Sequence, residues 1–215
     1  TLSYDCLTEG NTPAAFATLP APDEAASATL GEVYHYAAID NDEFAWYGGG
    51  REMFDGHDFG TANSNTYTAS LPGITGTNLT TVTWDFTAAG ATQNCTAQMT
   101  LGPLFGSVVS SMTVNKITSS DVARGRQSTF TFRATTSDLQ FRITSTAGIP
   151  AHLNFIRIKY PKRLTANAGN ASFSPDVAGA VSLKIANANG NTKLWRIGRA
   201  GVPAAQVASR LSGTT

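Results

Sequence analysis

Hydrophobic and polar positions alternate along most of this chain with the period of two that a half-buried β-strand requires. The clearest case is 79–87, where Val82, Trp84 and Phe86 share one parity and Thr81, Thr83, Asp85 and Thr87 the other. Phe130 and Phe132 alternate with polar residues over 129–133, and Phe141 and Ile143 do so over 139–145. Such strands have one wet side. Further strands are expected over 33–38, 66–71, 95–101 and 107–117, and shorter ones over 172–173, 180–188 and 193–197. Residues 152–160 break the alternation: Leu153 and Phe155 have one parity, Ile156, Ile158 and Tyr160 the other. That strand either carries a bulge near Phe155 or is covered on both faces.

Between these runs the punctuation is that of turns. Pro72-Gly73 closes one strand, and Asn187-Ala188-Asn189-Gly190-Asn191 is a strong hairpin signal. Residues 8–29, rich in Ala, Pro and Thr, read as an irregular surface segment, and 202–211 suit a short helix. About ten short strands at regular spacing predict an all-β chain, a jelly-roll-like antiparallel β-sandwich with a small additional β element at the C-terminal end. Strand–helix alternation, which a parallel α/β sheet needs, is missing. A boundary is expected near 165–170, with the sandwich over 1–165 and a short β segment over 166–215 leading toward a following domain.

Hydrophobic residues make up 41% of the chain, enough for a real core, while only 14% are charged, well below the usual quarter. Thr, Ser, Asn, Ala and Gly fill the gap, a mix typical of exported β proteins and poor for long helices. No apolar run approaches the ~18 residues of a membrane span. With neither an initiator Met nor a leader, the chain reads as a mature fragment or a cloned domain, and its composition as that of an extracellular or periplasmic protein. Cys6 and Cys95 allow one disulfide, which would tie the N-terminal segment to the body; the other reading is two unpaired small core residues.

The formal charge of zero hides a split. Residues 1–58 carry eleven acids and one Arg, and 59–215 carry four acids and fourteen Lys or Arg, so a net of about −10 is followed by about +10. Such a chain brings two faces together or presents each to a different partner. Without a continuous basic stripe, nucleic acid is not an expected partner.

The acidic part closes in the run 40–59, DNDEFAWYGGGREMFDGHDF. Asp40, Asp42 and Glu43 offer hard oxygens to calcium, but the loop has neither the Gly nor the Glu spacing of an EF-hand. Asp55-Gly56-His57-Asp58 is a thin ligand set for a transition metal, and a glycosidase pair is the least favoured reading. Solvated acidic loops are the plain alternative, so no cofactor is expected. Gly48-Gly49-Gly50 lacks the Gly-Lys-Ser/Thr ending of a phosphate loop and signals a bend or a close backbone approach. Cys95, on a predicted strand without an activating motif, is not read as a nucleophile. Trp46, Tyr47, Trp84 and Trp195 are candidates for a sugar platform, with Trp84 assigned to the core by its parity. Trp46, Tyr47, Arg51, Glu52, Asp55 and Asp58 are the candidate contact surface.

The order of elements adds a resemblance. Val33-Tyr34-His35-Tyr36 is followed by Gly49-Gly50-Arg51-Glu52-Met53-Phe54-Asp55-Gly56-His57-Asp58-Phe59, then by Tyr67-Thr68-Ala69-Ser70-Leu71-Pro72-Gly73. Downstream lie His152-Leu153-Asn154-Phe155-Ile156-Arg157-Ile158 with Lys162-Arg163-Leu164, and Lys193-Leu194-Trp195-Arg196-Ile197. This succession resembles the N-terminal region of the type IX secretion sortases of Bacteroidetes, which are gingipain-family cysteine peptidases. Met53 stands where the family favours Trp, and Arg196-Ile197 replaces Asp-Ile. The resemblance implies a non-catalytic leading β domain of an exported enzyme that removes C-terminal sorting signals from cargo and joins the cargo to a surface glycolipid. No matched position is a family catalytic residue; those would lie beyond Thr215. The implied partners are the chain's own downstream peptidase domain, with outer-membrane secretion components or cargo. The rival reading is a carbohydrate-binding jelly-roll module with Trp46 and Tyr47 as its platform.

Overall fold

The computed structural model describes residues 18–19, 28–48, 52–102, 106–166, 173, 181–196 and 205–207. Thirteen strands form among them. They are β1 (Thr18–Leu19), β2 (Ala28–Leu30), β3 (Glu32–Ile39), β4 (Ser64–Ser70), β5 (Thr80–Ala88), β6 (Cys95–Leu101) and β7 (Val108–Val114). The remainder are β8 (Arg124–Phe132), β9 (Asp138–Ser145), β10 (Ala151–Arg163), β11 (Val181–Leu183), β12 (Leu194–Arg196) and β13 (Ala205–Val207). No helix among the described residues is long and apolar enough to cross a membrane. The chain divides into two compact units, Gly31–Leu164 with Ser172–Val177, and Thr1–Leu30 with Thr165–Ala171 and Ala178–Thr215.

The larger unit is two antiparallel four-stranded sheets, ordered β3-β10-β5-β8 and β4-β9-β6-β7. Counted from one to eight along the unit, these orders are 1-8-3-6 and 2-7-4-5, the double Greek key of a jelly roll. The alternation read from the sequence positions its core. Val82, Trp84, Phe86 and Ala88 of β5 are buried and face Met99, Phe141 and Ile143 of the opposite sheet in one cluster. The Trp84 indole Nε1 spans the two layers to Ser110 Oγ at 3.0 Å, and Ser110 Oγ lies 3.0 Å from Ser128 Oγ. A polar atom in the core thus keeps a partner, as a buried donor requires.

Strand β10 holds the first sheet together by pairing with β3 on one side and β5 on the other. Its register against β5 slips between Leu153 and Phe155. That bulge at Asn154 is the parity break of the sequence: Leu153 and Ile156 both turn inward, and Phe155 is left on the outer face under the Arg157 guanidinium, 3.8 Å from the ring centroid. Both readings of this strand hold in part, because Phe155 is also buried.

In the smaller unit, parallel β2–β11 and the sheet β1-β13-β12 are pairings of two or three residues. Two expectations fail here. Residues 205–207, read as helix, form a strand because their backbone pairs with Leu194–Arg196. The 187–191 turn exists, with Asn187 at φ 57°, but it closes no hairpin, since β11 pairs with β2 and β12 with β13. Part of 8–29 also enters strands, as β1 and β2. The expected strand at 172–173 and the residue Cys6 fall on positions outside the described residues, apart from Phe173.

Truncation should separate core from surface. Trp84→Ala is expected to cost about 3–5 kcal/mol in urea unfolding, against about 0.5 kcal/mol or less for Tyr36→Ala, whose ring is 62% exposed.

Candidate functional site

The acidic run lies between β3 and β4 and folds back on itself through one antiparallel bridge, Phe44 with Phe54. Phe44 N donates to Phe54 O at 2.8 Å and Phe54 N to Phe44 O at 2.7 Å. The doubled segment docks on β10: Asp55 N donates to Leu153 O at 2.8 Å and Phe59 N to Ala151 O at 2.9 Å. An aromatic cluster covers the junction. Phe44 stacks on His152 at 3.8 Å between centroids, and Trp46 meets both rings edge-on. Trp46 Nε1 donates to Thr87 Oγ1 at 3.1 Å, and Thr87 Oγ1 donates to His152 O at 3.3 Å.

Two of the predicted site acids are structural. Asp55 is buried. Its carboxylate accepts from Asn41 Nδ2 at 2.8 Å, His57 N at 3.0 Å and Tyr67 OH at 3.0 Å, while its carbonyl meets His152 Nδ1 at 2.9 Å. Burial, with the Asp55 carboxylate beside it, pushes the Tyr67 phenol well above its usual value, so the hydroxyl stays a donor. Asp58 closes the tight turn into Gly60, accepting from Gly60 N at 2.8 Å and Thr61 Oγ1 at 2.9 Å. Burial pushes Asp58 up, but these donors and Ala151 N outweigh it and hold the carboxyl below its usual value. A Cβ at residue 60 would stand 2.8 Å from Pro150 N and 2.9 Å from the Ile149 carbonyl carbon, so the turn admits only glycine.

Among the described residues, a groove of about 610 Å³ opens where the docked segment overhangs the outer face of β5 and β8. Trp46, Tyr47, Glu52 and Phe54 form one wall, residues 123–127 the other, and Asp85, Thr87 and Asn154 the floor. The bulge aims Asn154 into it, with Nδ2 donating to Asp85 Oδ1 at 3.2 Å. Burial lifts the Asp85 carboxyl above its usual value; Asn154 opposes the shift, Glu52 adds to it, and Arg157 opposes it weakly. Gly125 leaves the far wall low: a Cβ there would lie 3.4 Å from Thr87 Cγ2 and 4.0 Å from Asp85 Oδ1.

The predicted site residues thus separate. Trp46, Tyr47 and Glu52 share the groove, Asp55 and Asp58 hold the segment in place, and Arg51 lies outside the described residues. Asp40 approaches Arg157 at 3.9 Å, Glu43 lies over Gly56, and Asp42 is exposed. No three His, Cys, Asp or Glu side chains gather closely enough for a metal ion among the described residues. Cys95 is a buried free thiol, its Sγ 3.1 Å from Ser145 Oγ. Trp84 is core, and Trp195 belongs to the smaller unit. Sequence reasoning missed Asp85, Asn154, Arg124, Arg126 and Gln127. Two signals could have found the first pair: Asp85 is the one acid on the polar parity of its strand, and Asn154 sits at the parity break.

No family model and no curated protein matches this chain. Among solved structures, dimeric latent PorU from Porphyromonas gingivalis matches 93% of this chain with a TM-score of 0.71 at 14% sequence identity. The chain spans 20% of the PorU chain it matches. Weaker likenesses are to the carbohydrate-binding module CBM36 in complex with calcium and xylotriose (TM-score 0.35, 13% identity, 58% of this chain and 98% of that one). Another is to Arthrobacter globiformis T6 isomalto-dextranase complexed with panose (TM-score 0.32, 15% identity, 60% of this chain and 23% of that one). At such identities the PorU likeness is one of fold.

Two substitutions test the division between structural and open acids. Asp55→Ala leaves a buried Tyr67 hydroxyl and two further donors unpaired and should lower stability by roughly 3 kcal/mol in urea unfolding. Asp85 behaves oppositely. Its folded-state pKa is raised, so the ionised carboxyl opposes folding above that pKa, and the penalty disappears below the ordinary value of 3.8. Asp85→Asn, which keeps an acceptor for Asn154, should melt higher than the parent at neutral pH and lose that advantage in acid.

Proposed function

We propose that this chain is the leading, non-catalytic β domain of an exported type IX secretion sortase, where it serves as a scaffold and docking surface for the peptidase domain that follows. The observation that carries this reading is the PorU match, which takes in nearly the whole of this chain and only a fifth of a much longer one. The order of motifs over 33–197 resembles the same family. The parent enzyme would cleave C-terminal sorting signals and attach cargo to a surface glycolipid, at the periplasmic or outer-membrane surface. In this reading the chain contributes no catalytic group: Cys95 is a buried thiol whose described polar neighbour is Ser145. Its jelly-roll surface, with Tyr36 and Tyr47 exposed, faces the peptidase domain, a secretion component or cargo.

The test is a polypeptide of native length, isolated from its source cells and measured by intact mass and peptide mapping. A gingipain-like peptidase domain should follow Thr215. Removing residues 31–164 from that polypeptide should then leave cargo with its sorting signal attached, while a short peptide substrate is still cut. A native polypeptide that carries no peptidase domain after Thr215 overturns the reading.

A further inference from the structure

The groove under Trp46 and Tyr47 has a composition that the scaffold role does not use. Its ionic side chains cancel: Glu52 and Asp85 carry two negative charges, and Arg124 and Arg126 two positive ones. Asp121, just outside, pairs with Arg124 at 3.2 Å and takes up part of that positive charge. Arg126 is likewise engaged, donating to Thr113 O at 3.2 Å. A phosphate or other anion would meet two carboxylates with no surplus of cations to hold it. An apolar ligand would strip water from those carboxylates and from the Asn154 and Gln127 amides without replacing its hydrogen bonds.

A hydroxyl both donates and accepts, so it can bridge an acceptor-only carboxylate and a donor-only guanidinium or an amide. Asp85 is placed for this. Among the described residues its carboxylate receives one side-chain hydrogen bond, from Asn154, which leaves acceptor positions toward the groove. The opposite wall is aromatic: Trp46 borders the groove, and Tyr47 is 59% exposed. Rings with an apolar body and a polar tip suit a ligand that has an apolar face and polar edges. Pockets that pair a few convergent polar groups with an aromatic wall are the common form of small-ligand sites.

We propose that this groove binds a neutral, hydroxyl-rich ligand of the saccharide class, with a sugar ring against Trp46 and Tyr47 and its hydroxyls on Asp85, Asn154 and Glu52. Trp46 is held by Thr87 and the aromatic cluster, and residues 54–59 by Asp55 and β10, so little ordering cost falls on that ring when a ligand binds. The site stands whether or not the chain leads a sortase.

The experiment is calorimetric titration of the 215-residue chain with xylotriose, maltotriose and cellotriose at millimolar concentration, with inorganic phosphate as the charged comparison. Saturable heat is expected for at least one trisaccharide and none for phosphate. Tyr47→Ala, which removes wall area, and Gly125→Leu, which fills the groove from an exposed strand, should each weaken binding about 10-fold or more. Tyr36→Ala, elsewhere on the same sheet, should leave it unchanged. In the unsubstituted chain the Trp46 indole proton resonance should shift along the titration, a readout that needs no variant to fold. The proposal is overturned by no saturable binding of any of the three sugars, by phosphate binding in their place, by full affinity in both variants, or by shifts confined to residues away from the groove.

Discussion

The larger unit turns on one constraint: β10 must bury side chains of both parities while it pairs with strands on each side. Leu153 and Ile156 both enter the one core cluster between the sheets, which an unbroken strand cannot arrange for residues an odd number apart. The bulge at Asn154 resolves this within a continuous sheet, since pairing with β5 resumes at Phe155 and pairing with β3 begins at Ile156. Everything at this end of the sandwich follows from it. The carbonyls of Ala151 and Leu153 receive the amides of Phe59 and Asp55, His152 receives the ring of Phe44, and Asn154 is left to reach Asp85. One inserted residue thus supplies core packing, the anchor of a long connection and part of a groove floor.

How far this was legible in the sequence depends on what each feature needs. Strands whose two faces differ in solvent were plain: β6 appears with the expected bounds, and β5 differs from expectation by one residue at each end. The parity break announced the bulge. The strands of the smaller unit were harder, because pairings of two or three residues leave too little periodicity to read; Ala205–Val207 takes strand form from its partner, against its own helical composition. The run 40–59 was legible as a unit but not by role. Asp55 and Asp58 look like surface acids until Tyr67, Asn41 and backbone amides from distant positions converge on them. The groove's second wall was invisible for a topological reason. Arg124 and Arg126 come to face Glu52 only because jelly-roll order sets β8 beside β5.

The charge split takes a different meaning once folded. The acidic run and the basic strands that follow meet inside the larger unit, with Asp40 near Arg157 and Glu52 across the groove from Arg124 and Arg126. An exposed pair at 3.9 Å adds little stability, so this matching does not hold the fold together. Its consequence lies in what the groove excludes. Opposed charges at fixed positions leave no net attraction for ligands of either sign, which is the condition under which the proposed neutral polar ligand competes best.

The three aspartates near the groove also show why Asp85 alone among them is suited to a ligand. Asp55 accepts three hydrogen bonds and is buried, so its oxygens have little left to give and no access to give it. Asp58 is stabilised in its charged form by the turn that it closes. Asp85 is half-buried, has one side-chain donor among the described residues, and is pushed toward its protonated form by that burial. A carboxyl that the fold leaves under-satisfied in this way gains from any hydroxyl that can donate to it, and the cost of holding it unpaired has already been met in folding. The segment 40–59 therefore divides its labour: buried Asp55 and the turn-closing Asp58 build a rigid overhang, and the overhang shelters a floor whose free valences lie on neighbouring strands.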